Sequence, residues 1–286
     1  MTDAIVVTCY RSPRSCEVRI KLLKALNPES LVCVAYTGDP SNVDSFRGVF
    51  AAADYCYEVP TRNTKDNWYG LDRALMRWWV CQGQTLCLNR ILFLDWDVLL
   101  LEPATCLLNQ LTQGEALFTH VFPVHGLDSD HWAREFLETN LICKASLLGE
   151  NNYLSRAFLF SWACFASDLA MAVECVTTMN GYCEVRLPFA FQSNGVRLGS
   201  FAGICNDVCH VLGEGISLDR IRKLQLSRSH ILMAHPVYLP ITSQALALDI
   251  KAYLLEAPFL KTSARKLRKI IRSLFINLGL LPRLNP

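Results

Sequence analysis

Two aspartates separated by one residue, Asp95 and Asp97, end an unbroken apolar run, Ile91-Leu92-Phe93-Leu94, and three more apolar residues, Val98 to Leu100, follow them. Residues two apart on an extended backbone point to the same side, so both carboxylates share one face. Carboxylates held together in protein surroundings repel each other unless a positive group sits between or beside them. Mg2+ or Mn2+ meets that need, because it takes oxygen ligands and keeps positions for a diphosphate. The competing reading is that one aspartate caps the next helix and the other pairs with an arginine. The apolar run ahead of the pair and the Leu101-Glu102-Pro103 exit after it favour the metal reading.

A strand apolar on both faces belongs inside a parallel sheet covered by helices on each side. Ligands of such sheets gather outside the carboxyl ends of the strands. The elements needed to build that sheet precede the aspartates. Ala4 to Cys9 reads as a first buried strand ending in Tyr10-Arg11-Ser12-Pro13, and Arg14 to Leu26 carries Val18, Leu22, Leu23 and Leu26 at helical spacing. Leu31 to Tyr36 is a second strand, closed by the turn signature Thr37-Gly38-Asp39-Pro40. Strand, helix and strand at this spacing predict a right-handed βαβ unit. Ala53 to Val59 reads as a third strand, and Trp68 to Cys81 as a helix with Leu71, Leu75, Trp78 and Trp79 on one stripe and Asp72, Arg73 and Arg77 beside it.

Beyond Pro103 the pattern gives a short helix over 104–113 and a strand over 116–122. Residues 123–152 are polar with little periodicity and hold His125, Asp128, Asp130, His131, Trp132 and Asn151, which reads as a long functional loop. Its histidines and aspartates suit either a second metal site or a solvated acceptor loop. Tyr153 to Ala166 is apolar again, a helix follows over 168–179, and Glu184 stands ahead of a helix that ends at Asn194-Gly195. A last short strand over 230–237 ends in His235-Pro236. The expected organisation is one catalytic domain over 1–240 and a helical extension over 241–286.

With 28 basic and 26 acidic residues the chain is near neutral, but seven of the basic residues and no acid lie after position 260. In that tail Leu267, Ile270, Ile271, Leu274, Phe275 and Leu278 fall at helical spacing, with Arg265, Lys266, Arg268, Lys269 and Arg272 between them. An apolar stripe bordered by cations is the pattern of a helix lying in a membrane interface. A terminal helix packed on the globule is the other reading. No apolar run reaches the roughly 20 residues that span a bilayer. Thirteen cysteines, an odd number at irregular spacing, mostly sit within apolar runs such as those of Cys33, Cys87, Cys106 and Cys164. The start MTDAIVVTCY has no charged n-region or long apolar stretch. A reduced, cytoplasmic protein is expected, peripheral on the inner face of the cell membrane if the tail binds lipid. Cys205, Cys209 and His210 lack the second ligand pair of a zinc site.

The order of these parts, over roughly residues 4 to 240, resembles a glycosyltransferase of the GT-A type. The parts are a first strand ending in Tyr10-Arg11, a second ending at Asp39, a helix bearing Arg73, a hydrophobic strand ending in Asp95-Trp96-Asp97, Glu184 before an apolar helix, and His235 late in the domain. The resemblance implies an α/β fold with a single Rossmann-like, mixed and mostly parallel sheet flanked by helices. It implies transfer of a sugar from a nucleoside-diphosphate donor to a glycan or lipid-linked acceptor, and no nucleic acid. Tyr10, Arg11, Asp39, Arg73 and Asp95 would contact the nucleotide, and Asp95, Asp97 and His235 would hold Mn2+ or Mg2+. Such a metal stabilises the leaving diphosphate. Glu184 would take the proton of the acceptor hydroxyl, which inverts the anomeric centre.

Two other enzyme classes fit less well. Aspartyl-phosphate phosphatases of the haloacid dehalogenase type use the first aspartate as nucleophile, but carry the motif on the first strand with a paired acidic motif downstream. Nucleotidyltransferases open on a glycine-rich phosphate loop, and Arg11-Ser12-Pro13-Arg14 has no glycine. A non-catalytic interaction module on a degenerate α/β domain would use the basic tail and leave the carboxylate pair without a purpose.

Overall fold

The computed structural model describes residues 1–59, 69–124, 130–140, 154–201 and 233–237, with the backbone alone at 208–210. The tail residues 241–286, Cys205, His125 and Asp128 lie outside the described residues, and with them the expected C-terminal helix and part of the expected acceptor loop.

The first half alternates as expected: β1 (Thr2–Cys9), α1 (Pro13–Leu26), β2 (Leu31–Tyr36), α2 (Arg47–Ala52), β3 (Tyr55–Glu58), α3 (Leu71–Cys81) and β4 (Leu88–Leu94). The second half holds β5 (Leu99–Leu100), α4 (Thr105–Leu108), β6 (Glu115–Phe118), β7 (Val121–Pro123), α5 (His131–Thr139), β8 (Ser155–Ala157), β9 (Ser161–Phe165), α6 (Ala166–Thr178), α7 (Cys183–Ser193), β10 (Arg197–Ser200), β11 (Val208–His210) and β12 (Met233–His235). The main sheet has seven strands in the order β10-β6-β9-β4-β1-β2-β3, so β4, the strand that leads into the aspartates, is its middle member. β4 pairs parallel to β1, β1 to β2 and β2 to β3, whereas β9 runs antiparallel between β4 and β6. The α/β class with a mixed, mostly parallel sheet is as the sequence implies.

Successive residues of the inner strands enter opposite apolar layers. Val6, Cys33, Ile91 and Phe93 face α3, α6 and α7, while Ile5, Val34, Leu92 and Leu94 face α1, α2 and α4. That is why these strands read as continuous apolar runs rather than as alternation. On the first face Phe93 and Trp162 stack at 4.0 Å, and Trp78 meets Phe93 edge-on at 6.0 Å. The tryptophans of the α3 stripe are therefore sheet packing.

Two expectations need correction. Residues 123–152 are not loop throughout: Asp130 Oδ1 accepts from the backbone N–H groups of Trp132 and Ala133, and this cap starts α5. The strand expected over 116–122 is two, because the chain leaves the main sheet after Phe118 and Val121–Pro123 pairs instead with β8.

Asp72 and Arg186 form an ion pair between α3 and α7 in which the side chains are 0% and 1% exposed. Arg186 donates through Nε to Asp72 Oδ2 at 2.8 Å and through Nη1 to the carbonyl of Gly181 at 2.6 Å. Gly181 has φ +100°, and a Cβ there would stand 3.0 Å from the ring of Phe136, so only glycine fits. Together these contacts fix the start of α7, where Glu184 sits. Removing one partner of a buried pair leaves an uncompensated charge, at a cost of roughly 3–5 kcal/mol. Asp72→Ala is accordingly expected to lower the unfolding free energy by about that amount in urea titration; a change within ~0.5 kcal/mol would contradict the role given to the pair.

Candidate functional site

Adjacent parallel strands β1 and β4 bring Thr8 and Asp95 together at their carboxyl ends, one step past the pairing of Val7 with Leu94. Thr8 Oγ1 donates to Asp95 Oδ1 at 2.7 Å, and the Trp96 backbone N–H donates to the same oxygen at 2.7 Å. The Asp95 N–H donates to the Phe160 carbonyl at 2.8 Å, which ties the loop to β9. Surrounding protein, and then the charge of Asp97, push the Asp95 carboxyl up from the usual range, while the two hydrogen bonds hold it down.

Asp97 is 7% exposed, and its Oδ1 is buried with no hydrogen-bond donor among the described residues. His235 Nε2 lies 3.2 Å from that oxygen, within ion-pair reach but not aligned as a hydrogen bond. The short antiparallel pairing of β5 with β12, Leu99 opposite Ala234, is what brings the histidine to the aspartate across the chain. Val237 N–H then donates to the Asp97 carbonyl at 2.8 Å, and the His235 ring stacks on Phe160 at 3.9 Å with 6° between the planes.

Arg19 was not among the expected site residues. It is fully buried in α1, with Nη1 donating to the Trp96 carbonyl and Nη2 donating to the Val237 carbonyl at 2.8 Å. One guanidinium thus joins the loop of Asp97 to the strand end of His235, with the fields of both aspartates acting on it. Burial pulls its pKa down, as it does for any cation taken out of water. The sequence holds a signal: Arg19 falls on the same helical stripe as Cys16, Ile20 and Leu23, where a cation is out of place.

Of the residues expected at the nucleotide, Tyr10 meets Trp96 edge-on at 6.0 Å, and the exposed Arg11 stands over the Tyr10 ring at 5.7 Å. Asp39, one strand further at the end of β2, is exposed and caps the following turn, accepting from the Ser41 N–H at 2.8 Å and the Ser41 hydroxyl at 2.7 Å. Those bonds lower its carboxyl pKa. Arg73 faces the helical layer, donating to the Met179 carbonyl with Asn180 Oδ1 at 3.4 Å.

Glu184 sits in the first turn of α7 and belongs to a second cluster. Arg156 of β8 approaches its Oε2 with Nε at 2.9 Å and Nη2 at 2.7 Å, and reaches Asp130 Oδ2 at 3.6 Å through Nη1. Burial raises the Glu184 pKa and Arg156 opposes that rise. One short segment of chain links the two clusters. Ala157 and Leu159 point into the layer under α3, α6 and α7, so Arg156, Phe158 and Phe160 share the opposite side. Arg156 holds Glu184 and Phe160 holds His235, and four residues of chain separate their Cα atoms by at most ~14 Å.

The residues that could hold a divalent cation are Asp97 and His235. Among the described residues no group of three or more His, Cys, Asp or Glu is placed to ligate one. A cation such as Mg2+ nevertheless uses one or two carboxylates and completes its sphere with water and phosphate oxygens. The donorless Oδ1 of Asp97 beside His235 Nε2 suits that role, and Asp95, committed to Thr8 and the Trp96 N–H, suits the second shell.

The clamp itself can be tested. Arg19→Leu leaves the Trp96 and Val237 carbonyls without their donor, at about 1–3 kcal/mol for each unmade buried hydrogen bond. The expected result is a stability loss of at least ~2 kcal/mol and faster amide exchange at Val237. An unchanged unfolding midpoint and an equally protected Val237 amide would contradict it.

No family model matches the chain, and no curated protein does. Three solved structures with similar architecture are all glycosyltransferases. Mouse xyloside xylosyltransferase 1 in its apo form shares 9% identity over 84% of this chain and 100% of its own, with a TM-score of 0.44. The bifunctional glycosyltransferase WbbM in its apo form shares 9% over 85% of this chain, which spans only 46% of that protein, with a TM-score of 0.43. A glycosyltransferase involved in glycosylation of the major capsid of PBCV-1 shares 10% over 88% of this chain and 100% of its own, with a TM-score of 0.43. At these values the function rests on the geometry of the site itself.

Proposed function

We propose that the protein is a metal-dependent glycosyltransferase of the GT-A type. It would move a sugar from a nucleoside-diphosphate donor to an acceptor hydroxyl. The observation that carries this reading is the Asp97 oxygen beside His235 at the carboxyl end of the central strand, which has no hydrogen-bond donor among the described residues. Sheets of this kind bind nucleotides there. Mn2+ or Mg2+ bound at Asp97 and His235 would supply Lewis-acid stabilisation of the leaving diphosphate.

The chain's own residues do the rest. Tyr10 and Arg11, beyond the end of β1, line the side on which the nucleotide enters, and Arg11 adds a cation for phosphate oxygens. Thr8 and the Trp96 N–H fix Asp95, and Arg19 fixes the backbone between the two aspartates, so the carboxylates are positioned before the donor arrives. Glu184 takes the proton of the acceptor hydroxyl as that oxygen bonds to the anomeric carbon and the bond from that carbon to the diphosphate breaks. Both Arg156 bonds fall on Oε2, which orients the carboxylate and opposes its protonation. Attack opposite the leaving group inverts the anomeric centre.

The basic tail is read as a helix on an anionic membrane surface, with each cation worth on the order of 1 kcal/mol there. The acceptor would then be a lipid-linked or cell-envelope glycan on the cytoplasmic side. Liposome co-sedimentation of the full chain against a chain ending at Pro258, at low and high salt, tests this. Equal recovery of both in the supernatant would remove the membrane.

For the chemistry, Asp97→Ala should abolish transfer with the fold intact by circular dichroism. Glu184→Gln should retain nucleotide binding and turn over at least ~100-fold more slowly, as expected for loss of a general base. Wild-type turnover in either variant, with Mn2+ present, would refute the corresponding role.

A further inference from the structure

Three aromatic side chains from separate parts of the sequence meet one another, and one of them, Tyr182, bonds Glu184. Tyr69 precedes α3, Trp132 lies in the first turn of α5, and Tyr182 is the residue before α7. Trp132 and Tyr182 are 4.6 Å apart between ring centroids, Tyr69 and Tyr182 5.6 Å, and Tyr69 and Trp132 6.0 Å. All three keep part of their surface in solvent, unlike the core rings of Trp78, Phe93 and Trp162, which are 0 to 2% exposed. Polar groups ring the aromatics: the Tyr69 hydroxyl donates to Glu135, the Tyr182 hydroxyl bonds Glu184, and the Arg156 guanidinium stands 5.9 Å over Tyr182.

Aromatic surface bordered by planar, multivalent hydrogen-bonding groups fits a ligand that is apolar on its faces and polar on its edges. A pyranose is such a ligand: its axial C–H groups lie against a ring while its equatorial hydroxyls reach carboxylates and guanidinium. Charge narrows the choice. Among the described residues that bond these rings or one another here, Asp130, Glu135 and Glu184 are acidic and Arg156 is basic, and the neighbouring Asp72 and Arg186 neutralise each other. Carboxylates beside the rings disfavour a diphosphate there and suit a neutral or amino sugar.

We infer that Tyr69, Trp132 and Tyr182 form the acceptor subsite, holding a terminal, uncharged or amino-substituted pyranose against the rings with its hydroxyl beside Glu184. This rests on the transferase reading for its role as acceptor, but not for its affinity for saccharide. The two ends of the site are joined by one short run of chain, Arg156 beside Glu184 and Phe160 beside His235.

The experiment uses the full-length protein and its Trp132→Leu and Trp132→Phe variants. Saturation-transfer NMR would measure binding of methyl glucoside, methyl galactoside, methyl mannoside and methyl glycosides of glucosamine and N-acetylglucosamine. Calorimetry would measure Mn2+-dependent binding of nucleoside diphosphates separately. The expected result is that at least one glycoside binds, that Trp132→Leu weakens it roughly tenfold, and that Trp132→Phe recovers most of the loss. Leucine keeps apolar volume without a π-face, so a side chain that only filled space would tolerate leucine as well as phenylalanine. If Trp132→Leu bound the glycoside as wild type does, or if no glycoside bound to a protein that does bind nucleotide, the subsite would be refuted. If glycosides bound as expected and no nucleotide bound, the transferase reading would fail and the saccharide site would stand.

Discussion

The constraint on which this molecule depends is the placing of two carboxylates at the inner end of the middle strand of its sheet. Asp95 and Asp97 stand where β4 leaves a seven-stranded core, and neither can be left uncompensated there. The fold treats them differently. Asp95 is satisfied by the Thr8 hydroxyl and the Trp96 N–H. Asp97 keeps an oxygen without a hydrogen-bond donor among the described residues, faces His235, and lies in the field of Arg19. An orphaned buried acceptor is costly unless something binds it, and that cost is what the proposed cation would relieve.

Arg19 explains how such a site stays in one geometry. Its guanidinium is fully buried and joins the carbonyls of Trp96 and Val237, residues far apart in the chain. With the Val237 N–H on the Asp97 carbonyl and Phe160 stacked on His235, the loop after β4, the end of β12 and the approach to β9 hold one another. The segment from Leu154 to Ser161 extends this order to Glu184 through Arg156. The surroundings of His235 and of Glu184 are therefore tied to one segment of chain.

Much of this was legible in the sequence wherever burial alone sets the pattern. β1, β2 and β4 read as apolar runs because both their faces are covered, and the α3 stripe of Leu71, Leu75 and Trp78 follows helical spacing onto the sheet. Asp95 and Asp97 were legible because two acids directly after four apolar residues are anomalous in composition. Features built from distant pairings were not legible. Nothing local tells that Asp72 will find Arg186, that Phe160 will lie on His235, or that β9 will reverse direction between β4 and β6. α5 was missed because its apolar positions, Ala133, Phe136 and Leu137, are too few to set a period within a polar stretch. Arg19 was overlooked because a helical stripe is read by its apolar members, and the one charged member is what matters.

The central claim is that the Asp97 end of the sheet is a joint site for a divalent cation and a diphosphate. The most direct measurement is electron paramagnetic resonance of free Mn2+ during titration with the wild-type protein, with and without UDP or GDP. Since two protein ligands leave most of the coordination sphere to water and phosphate oxygens, Mn2+ should bind weakly to the protein alone. Its free signal should fall steeply only when a nucleoside diphosphate is also present. A Mn2+ signal that falls no further with protein and nucleotide together than with each separately would contradict the account.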